Sequence, residues 1–203
     1  MARIAGVSAA DGGWLVKAAY YLTRRHLRKL TGREPERGLE PLEIFAHLPR
    51  LLRAYGSVEQ ATAKLDGLDA RSRVLAELKA ATLTHCEYCI DIGSQVARRS
   101  GLTDAELLAL PGYRTSPLFS ARDRLVLDYA VGMSATPVEV SDELFAGLRG
   151  EFSDAQLVEL TWMVALENLR GRFNLALGIG AAGFSEGMVC AVPASVRSEE
   201  AGA

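Results

Sequence analysis

Apolar residues recur at helical spacing along almost the whole chain, and no run of β-branched residues alternates with polar ones long enough to demand a sheet. From Trp14 to Leu30 the apolar positions include Leu15, Ala18, Ala19, Leu22 and Leu30. Arg24, Arg25, Arg28 and Lys29 occupy other positions, the pattern of an amphipathic helix. A turn-rich break follows, TGREPERGLEP, carrying Pro35, Gly38 and Pro41. The spacing then predicts short helices over 42–47 and 50–65, one over 70–83, and one from about Cys86 to Arg99 that Gly101 stops. Downstream, capping pairs mark helix starts: Thr103 with Glu106, Ser120 with Asp123, and Ser153 with Gln156. Asp142 is expected to open a further helix before Gly150. The reading is an all-α fold, a compact multi-helix bundle of eight or nine helices with short loops.

The 203 residues, 49% of them hydrophobic, suit a single helical domain over residues 1–194, with a small, polar tail at 195–203 expected to be disordered. Lys+Arg number 23 and Asp+Glu 25, a net charge of -2, which gives no electrostatic case for nucleic acid or an anionic membrane as partner. No stretch approaches the roughly eighteen apolar residues of a membrane span. The opening MARIAGVSAADGG has a short apolar run cut off by Asp11, poor for a secretory signal. A soluble cytoplasmic protein is expected. Three cysteines are too few for a disulfide-stapled secreted scaffold.

Chemistry concentrates in ELKAATLTHCEYCIDIGSQVARRSG, residues 77–101. Cys86 and Cys89 are three apart, so on a helix they share a face. At a helix start, unpaired N–H groups and the helix dipole stabilise a thiolate, and a lowered thiol pKa makes cysteine nucleophilic. The second thiol can then resolve a sulfenic acid or a mixed disulfide. Two other readings stay open: a pair of buried small hydrophobes on a core-facing helix, and a zinc site. Zinc needs two further ligands. His85 and Cys190 could in principle supply them, but nothing in their spacing singles them out. No βαβ pattern flanks the motif, so a thioredoxin-like reading fails. No metal or organic cofactor is expected.

This segment resembles the carboxymuconolactone decarboxylase family, in its alkylhydroperoxidase D-like branch. The likeness is most specific over HCEYCIDIGSQVARRSGL and extends through TDAELLAL, ARDRLVLDYAVGM, PVEVSDELFAGL and FSDAQLVELTWMVALENLRGRFNLALGI, covering about residues 40–192. The resemblance implies an all-helical homo-oligomer. It also implies a thiol-dependent oxidoreductase of the peroxidase type that reduces hydroperoxides through a C-x-x-C dithiol/disulfide cycle. Cys89 would attack the peroxide, Cys86 would resolve the product, and an external dithiol or protein reductant would restore the pair. The chain departs from the branch twice. Where the branch has a His four residues after the second cysteine, this chain has Gly93, and where it has a Glu twelve residues before the first, this chain has Val74. Glu77, one turn after Val74, is the candidate replacement for the Glu, and His85 a candidate base. A lyase acting on a small lactone acid and a non-catalytic redox-sensing oligomer remain alternatives.

Other polar residues have two readings each. Glu77 is either a proton shuttle or a salt-bridge partner of Arg73. Tyr88 either donates to a peroxide or packs, and Asp91 points to another face, toward solvent or a capping contact. Asn168, Arg172 and Asn174 form either a polar wall of the site or an inter-helix network, the second being favoured. The basic cluster of Arg24, Arg25, Arg28 and Lys29 is read as the wet face of its helix rather than a contact for an anionic surface, and Cys190 as a spare thiol rather than a third redox partner.

Overall fold

From Asp69 onward, each α-helix begins where the chain supplies a side chain that takes up one of its orphan N–H groups. The computed structural model describes residues 2–192, and among them α1 (Trp14–Thr31), α2 (Glu40–Phe45), α3 (Pro49–Thr62), α4 (Ala70–Thr84), α5 (Glu87–Arg99), α6 (Asp104–Ala109), a 3₁₀ turn (Leu110–Gly112), α7 (Ala121–Ser134), α8 (Asp142–Glu151) and α9 (Asp154–Ala176). No strand occurs among the described residues, so the protein is all-α as its periodicity predicts. The tail expected at 195–203 lies outside the described residues. Full capping boxes open α6, α7 and α9, on Thr103/Glu106, Ser120/Asp123 and Ser153/Gln156. α8 is capped by Ser141, whose side chain accepts from the Leu144 N–H.

The two short helices start earlier than their apolar pattern suggests. Pro41 and Pro49 sit in the first turns of α2 and α3, where a missing N–H costs nothing. The last helix stops at Ala176, short of the apolar run that continues to Ile179, because Gly178 turns the chain at φ 69°.

α4 occupies the middle of the bundle and packs against α5, α7 and α9. Its Val74, Leu75, Leu78, Ala80 and Ala81 are buried with Leu107, Leu110, Val126, Leu127, Leu160 and Val164. Full burial of each large aliphatic side chain contributes about 1.5–3 kcal/mol. Arg71 ties three elements together, pairing with Glu106 at 2.7 Å and Asp123 at 3.0 Å. A smaller cluster gathers Val16, Tyr20, Leu39, Phe45 and Leu52. Within it Phe45 stacks on Tyr55 at 4.5 Å and on Phe173 at 4.2 Å.

α4 and α9 run parallel. Arg73 pairs with Glu159 near their starts, and Thr84 meets Gly171 near their ends. A Cβ at Gly171 would stand 2.6 Å from Thr84 Oγ1, so only glycine permits this approach. The close contact brings the ends of both helices beside the start of α5.

Candidate active site

The turn from α4 to α5 consists of His85 and Cys86 alone. His85 adopts the left-handed conformation, φ 56°, and the Cys86 N–H returns to Ala81 O at 3.2 Å, closing α4 with a Schellman-type turn. That geometry delivers Cys86 directly as the N-cap of α5, one residue before the helix proper rather than inside it as the periodicity suggests. Its Sγ accepts the Cys89 N–H at 3.3 Å, the bond a serine would take at an ordinary N-cap.

Cys86 and Cys89 are joined as a disulfide, with Cα atoms 5.2 Å apart. Cys86 is fully buried and Cys89 is 5% exposed. Asn174, buried near the end of α9, donates through Nδ2 to both sulfurs at 3.6 Å. The third cysteine, Cys190, is free and half-buried.

Two turns before the cysteines lies a charged cluster. Arg170 bonds Glu59 of α3 at 2.7 and 3.0 Å, Glu167 of its own helix at 3.0 Å and Glu77 of α4 at 3.3 Å. Three carboxylates therefore share one guanidinium. Burial pushes Glu167 up to about 7, opposed by Arg170 and reinforced by Glu77. Burial also raises Glu77, again against Arg170. Burial acts to raise Glu59, but the Arg170 charge and the hydrogen bonds of Arg170 and Tyr55 together hold it below its ordinary value. The cluster thus holds a carboxyl proton near neutral pH. Arg170 and Asn174 are one turn apart on α9, which runs the cluster on toward the sulfurs.

Glu77 does not pair with Arg73 as the four-residue spacing suggests; Arg73 is taken by Glu159 and Glu77 by Arg170. The His85 ring is exposed and hydrogen-bonds neither sulfur. Tyr88 packs: its hydroxyl donates to Gly38 O at 2.6 Å and its ring meets Phe184 edge-on at 6.0 Å. Asp91 is buried, not solvated. Its carboxylate accepts the N–H groups of Ala182, Gly183, Phe184 and Ser185, at 2.6–3.0 Å, and so straps the segment after α9 onto α5. Asn168 and Arg172 form an inter-helix network, with Asn168 donating to Ser134 Oγ at 2.8 Å and Arg172 to Asn168 Oδ1 at 2.9 Å. Gly93 faces Leu78, whose Cδ1 would lie 3.1 Å from a Cβ there, and Val74 is core. The positions of the expected His and Glu are thus an apolar wall. Arg24, Arg25, Arg28 and Lys29 are exposed.

Glu167 and Arg170 belong to the site without standing in any motif of the sequence; their one signal there is an i, i+3 spacing on an apolar helix. Of Asn168, Arg172 and Asn174, only Asn174 reaches the sulfurs. Among the described residues no group of three His, Cys, Asp or Glu side chains is placed to hold a metal ion, and no helix is long and apolar enough to cross a membrane.

A helical bundle with a buried cysteine pair at an inter-helix corner is the class that these features define. The chain belongs to the carboxymuconolactone decarboxylase family, whose sequence pattern matches residues 49–131. It is 35% identical over 181 residues to the uncharacterized protein YnjA of Escherichia coli K12, covering 88% of this chain and 92% of YnjA. Its fold is similar to that of the debrominase Bmp8, with a TM-score of 0.74 and 17% identity over 88% of this chain and 91% of Bmp8. A cysteine-to-alanine variant of Bmp8 has been solved in complex with 2,3,4-tribromopyrrole. An uncharacterized peroxidase-related protein of Ralstonia eutropha JMP134, described as an alkylhydroperoxidase AhpD core, superposes with a TM-score of 0.69 at 19% identity, covering 89% of this chain and 92% of that one.

Proposed function

We propose that the chain is a thiol-dependent oxidoreductase that reduces hydroperoxides through the Cys86–Cys89 dithiol/disulfide cycle. The observation that carries this reading is the pair itself: two sulfurs within bonding reach at a helix start, with N–H donors aimed at both. Family membership and the fold shared with an AhpD-like protein support it.

In the proposed cycle the Cys89 thiolate attacks the terminal oxygen of ROOH. The O–O bond breaks, Cys89 becomes a sulfenic acid, and the departing alkoxide takes a proton to give ROH. The Cys86 thiolate then attacks that sulfenic sulfur and expels hydroxide, which is protonated to water. An external dithiol, or a protein that carries one, supplies two electrons and two protons and leaves as its own disulfide. Glu77, within a cluster that retains a proton near neutral pH, is the favoured acid. His85, next in the chain to Cys86, is the second candidate. The assembly we propose is a homo-oligomer, with neither nucleic acid nor membrane as partner, working in the cytoplasm.

The test is thiol counting against hydroperoxide. One equivalent should consume two thiols per chain and yield a Cys86–Cys89 link by mass spectrometry, with Cys190 still alkylatable. Turnover should follow when dithiol is added. A disulfide that forms once but never cycles would instead mark a redox sensor, and thiols that stay alkylatable after oxidant would refute both.

A second reading is reductive dehalogenation, favoured by the fold shared with Bmp8 over most of both chains. A dithiol can supply the same two electrons to a carbon–halogen bond: the carbon takes one of its two protons to form C–H, halide leaves, the second proton goes to solvent, and the pair is left as the disulfide. Bromide release from a bromopyrrole at two thiols per halide would select this reading over peroxide reduction.

A further inference from the structure

We infer that Asn174 is a catalytic residue of this pair, the shared hydrogen-bond donor that stabilises thiolate on Cys89 in one half-reaction and on Cys86 in the other. The inference rests on the dithiol reading above and adds the group that makes the thiols nucleophilic. Its basis is geometric. One buried amide reaches both sulfurs at 3.6 Å, a normal N–H···S separation given the size of sulfur. The sulfurs of a disulfide carry no hydrogen, so the NH₂ end of the amide is the end that faces them.

Other donors do not share this reach. Among the described residues, Cys86 Sγ also accepts the Cys89 N–H, whereas Cys89 Sγ has Asn174 as its sole side-chain donor. The charged and titratable groups nearby are occupied or directed elsewhere. On α4 and α9, Glu77 and Glu167 are held by Arg170, as is Glu59 of α3. On α5, Asp91 binds the strap and Tyr88 binds Gly38, while Glu87 and the His85 ring are exposed.

The position where the family branch has a His is a glycine against Leu78. Asn174 differs from such a His in kind. An amide donates without exchanging its proton, so it lowers the thiol pKa and leaves acid–base work to another group. A sulfur set free when the disulfide is attacked meets the same donor. One side chain thus serves attack, resolution and reduction, because each puts negative charge on one of the same two atoms.

The experiment reads the thiols of the reduced protein directly, without peroxide. Cys86→Ser and Cys89→Ser backgrounds, each also carrying Cys190→Ser, isolate each sulfur. In each, the ultraviolet absorbance of thiolate is followed against pH for Asn174, Asn174→Asp and Asn174→Leu. Both substitutions should raise the midpoint of both thiols by about one unit or more, and slow alkylation near neutral pH about tenfold. Asn174→Asp should shift further, because it sets an anion against the thiolate. It is nearly isosteric, so it carries the test if Asn174→Leu does not fold by circular dichroism. Unmoved midpoints in both backgrounds would overturn the inference, and a shift confined to one sulfur would overturn the shared role. Shifted midpoints in a protein that never consumes peroxide would sink the peroxidase reading and leave Asn174 in place.

Discussion

A Cβ at Gly93 would stand 3.1 Å from Leu78 Cδ1, so an imidazole there must push a core leucine aside. Gly93→His alone is therefore expected to destabilise the fold by about 1–3 kcal/mol, the usual cost of overpacking. It should raise the rate of peroxide-driven thiol loss only when Leu78→Ala makes room, and then by roughly tenfold or more, the low end of what general-base assistance supplies. Denaturant midpoints and thiol-loss rates for the single and double variants check this. A fast parent rate, unchanged by either substitution, would show that another base already serves Cys89.

Glu167 carries a pH dependence of definite sign. Its folded pKa, about 7, lies above the ordinary value of 4.5 because burial disfavours the anion. The proton is bound more tightly in the folded state, so the contribution is fully present below about pH 4.5 and is lost as pH rises through about 7. Glu77 shifts in the same direction. Glu59, shifted down, contributes the opposite slope, lost as pH falls below its unfolded value. Relative to the parent, Glu167→Gln should gain about 3 kcal/mol between pH 4.5 and 8. Urea titrations at the two pH values read the difference, and equal shifts at both would show that Glu167 titrates normally.

Among the elements, the strap after α9 is fastened most densely at Asp91. Asp91 accepts four consecutive N–H groups from 182–185, while Ser94 Oγ accepts the Ala191 N–H at 3.0 Å. Asp91→Ala removes the carboxylate that accepts all four bonds and leaves four N–H donors without it, those of Phe184 and Ser185 buried. The expected loss is about 3 kcal/mol. Hydrogen exchange should rise at residues 182–185 and remain slow in α4, and unchanged protection at 182–185 would refute the anchoring role. The same scale shows why this contact escaped the sequence reading. Asp91 lies two residues after Cys89, on another face of α5, and its partners are backbone groups more than ninety positions away.

At the scale of the molecule, the outer side of the bundle displays apolar side chains that the described residues do not cover. Phe145 of α8 and Val158 and Trp162 of α9 line one groove. Val158 is 71% exposed. Trp162 precedes Asn174 by twelve residues, about 18 Å along the helix, so this groove stands apart from the cysteine pair. In the proposed oligomer such surface would be buried between subunits. Sedimentation should show a species heavier than 21.9 kDa, and Val158→Glu with Trp162→Arg should weaken it. A parent protein that is monomeric at micromolar concentration would contradict the proposal.

The local rules carried far in this chain. Capping pairs such as Ser153/Gln156 announce their helices because both partners lie within one turn, and the i, i+3 cysteines announce a pair because a helix start places them on one side. The all-α class follows from periodicity alone. The tertiary structure decided what depends on distant residues. Cys86 caps α5 because His85 adopts a left-handed turn, which a residue other than glycine does not announce. Glu77 prefers Arg170 to Arg73 because α4 and α9 lie parallel, locked by the small residue Gly171 against Thr84. Asn174 lies 88 residues from Cys86 and 85 from Cys89 in sequence, yet the same parallel packing sets its amide on both sulfurs. Spacing along one helix states which residues share a face, whereas which helix that face meets is settled by the burial of apolar surface from the whole chain at once.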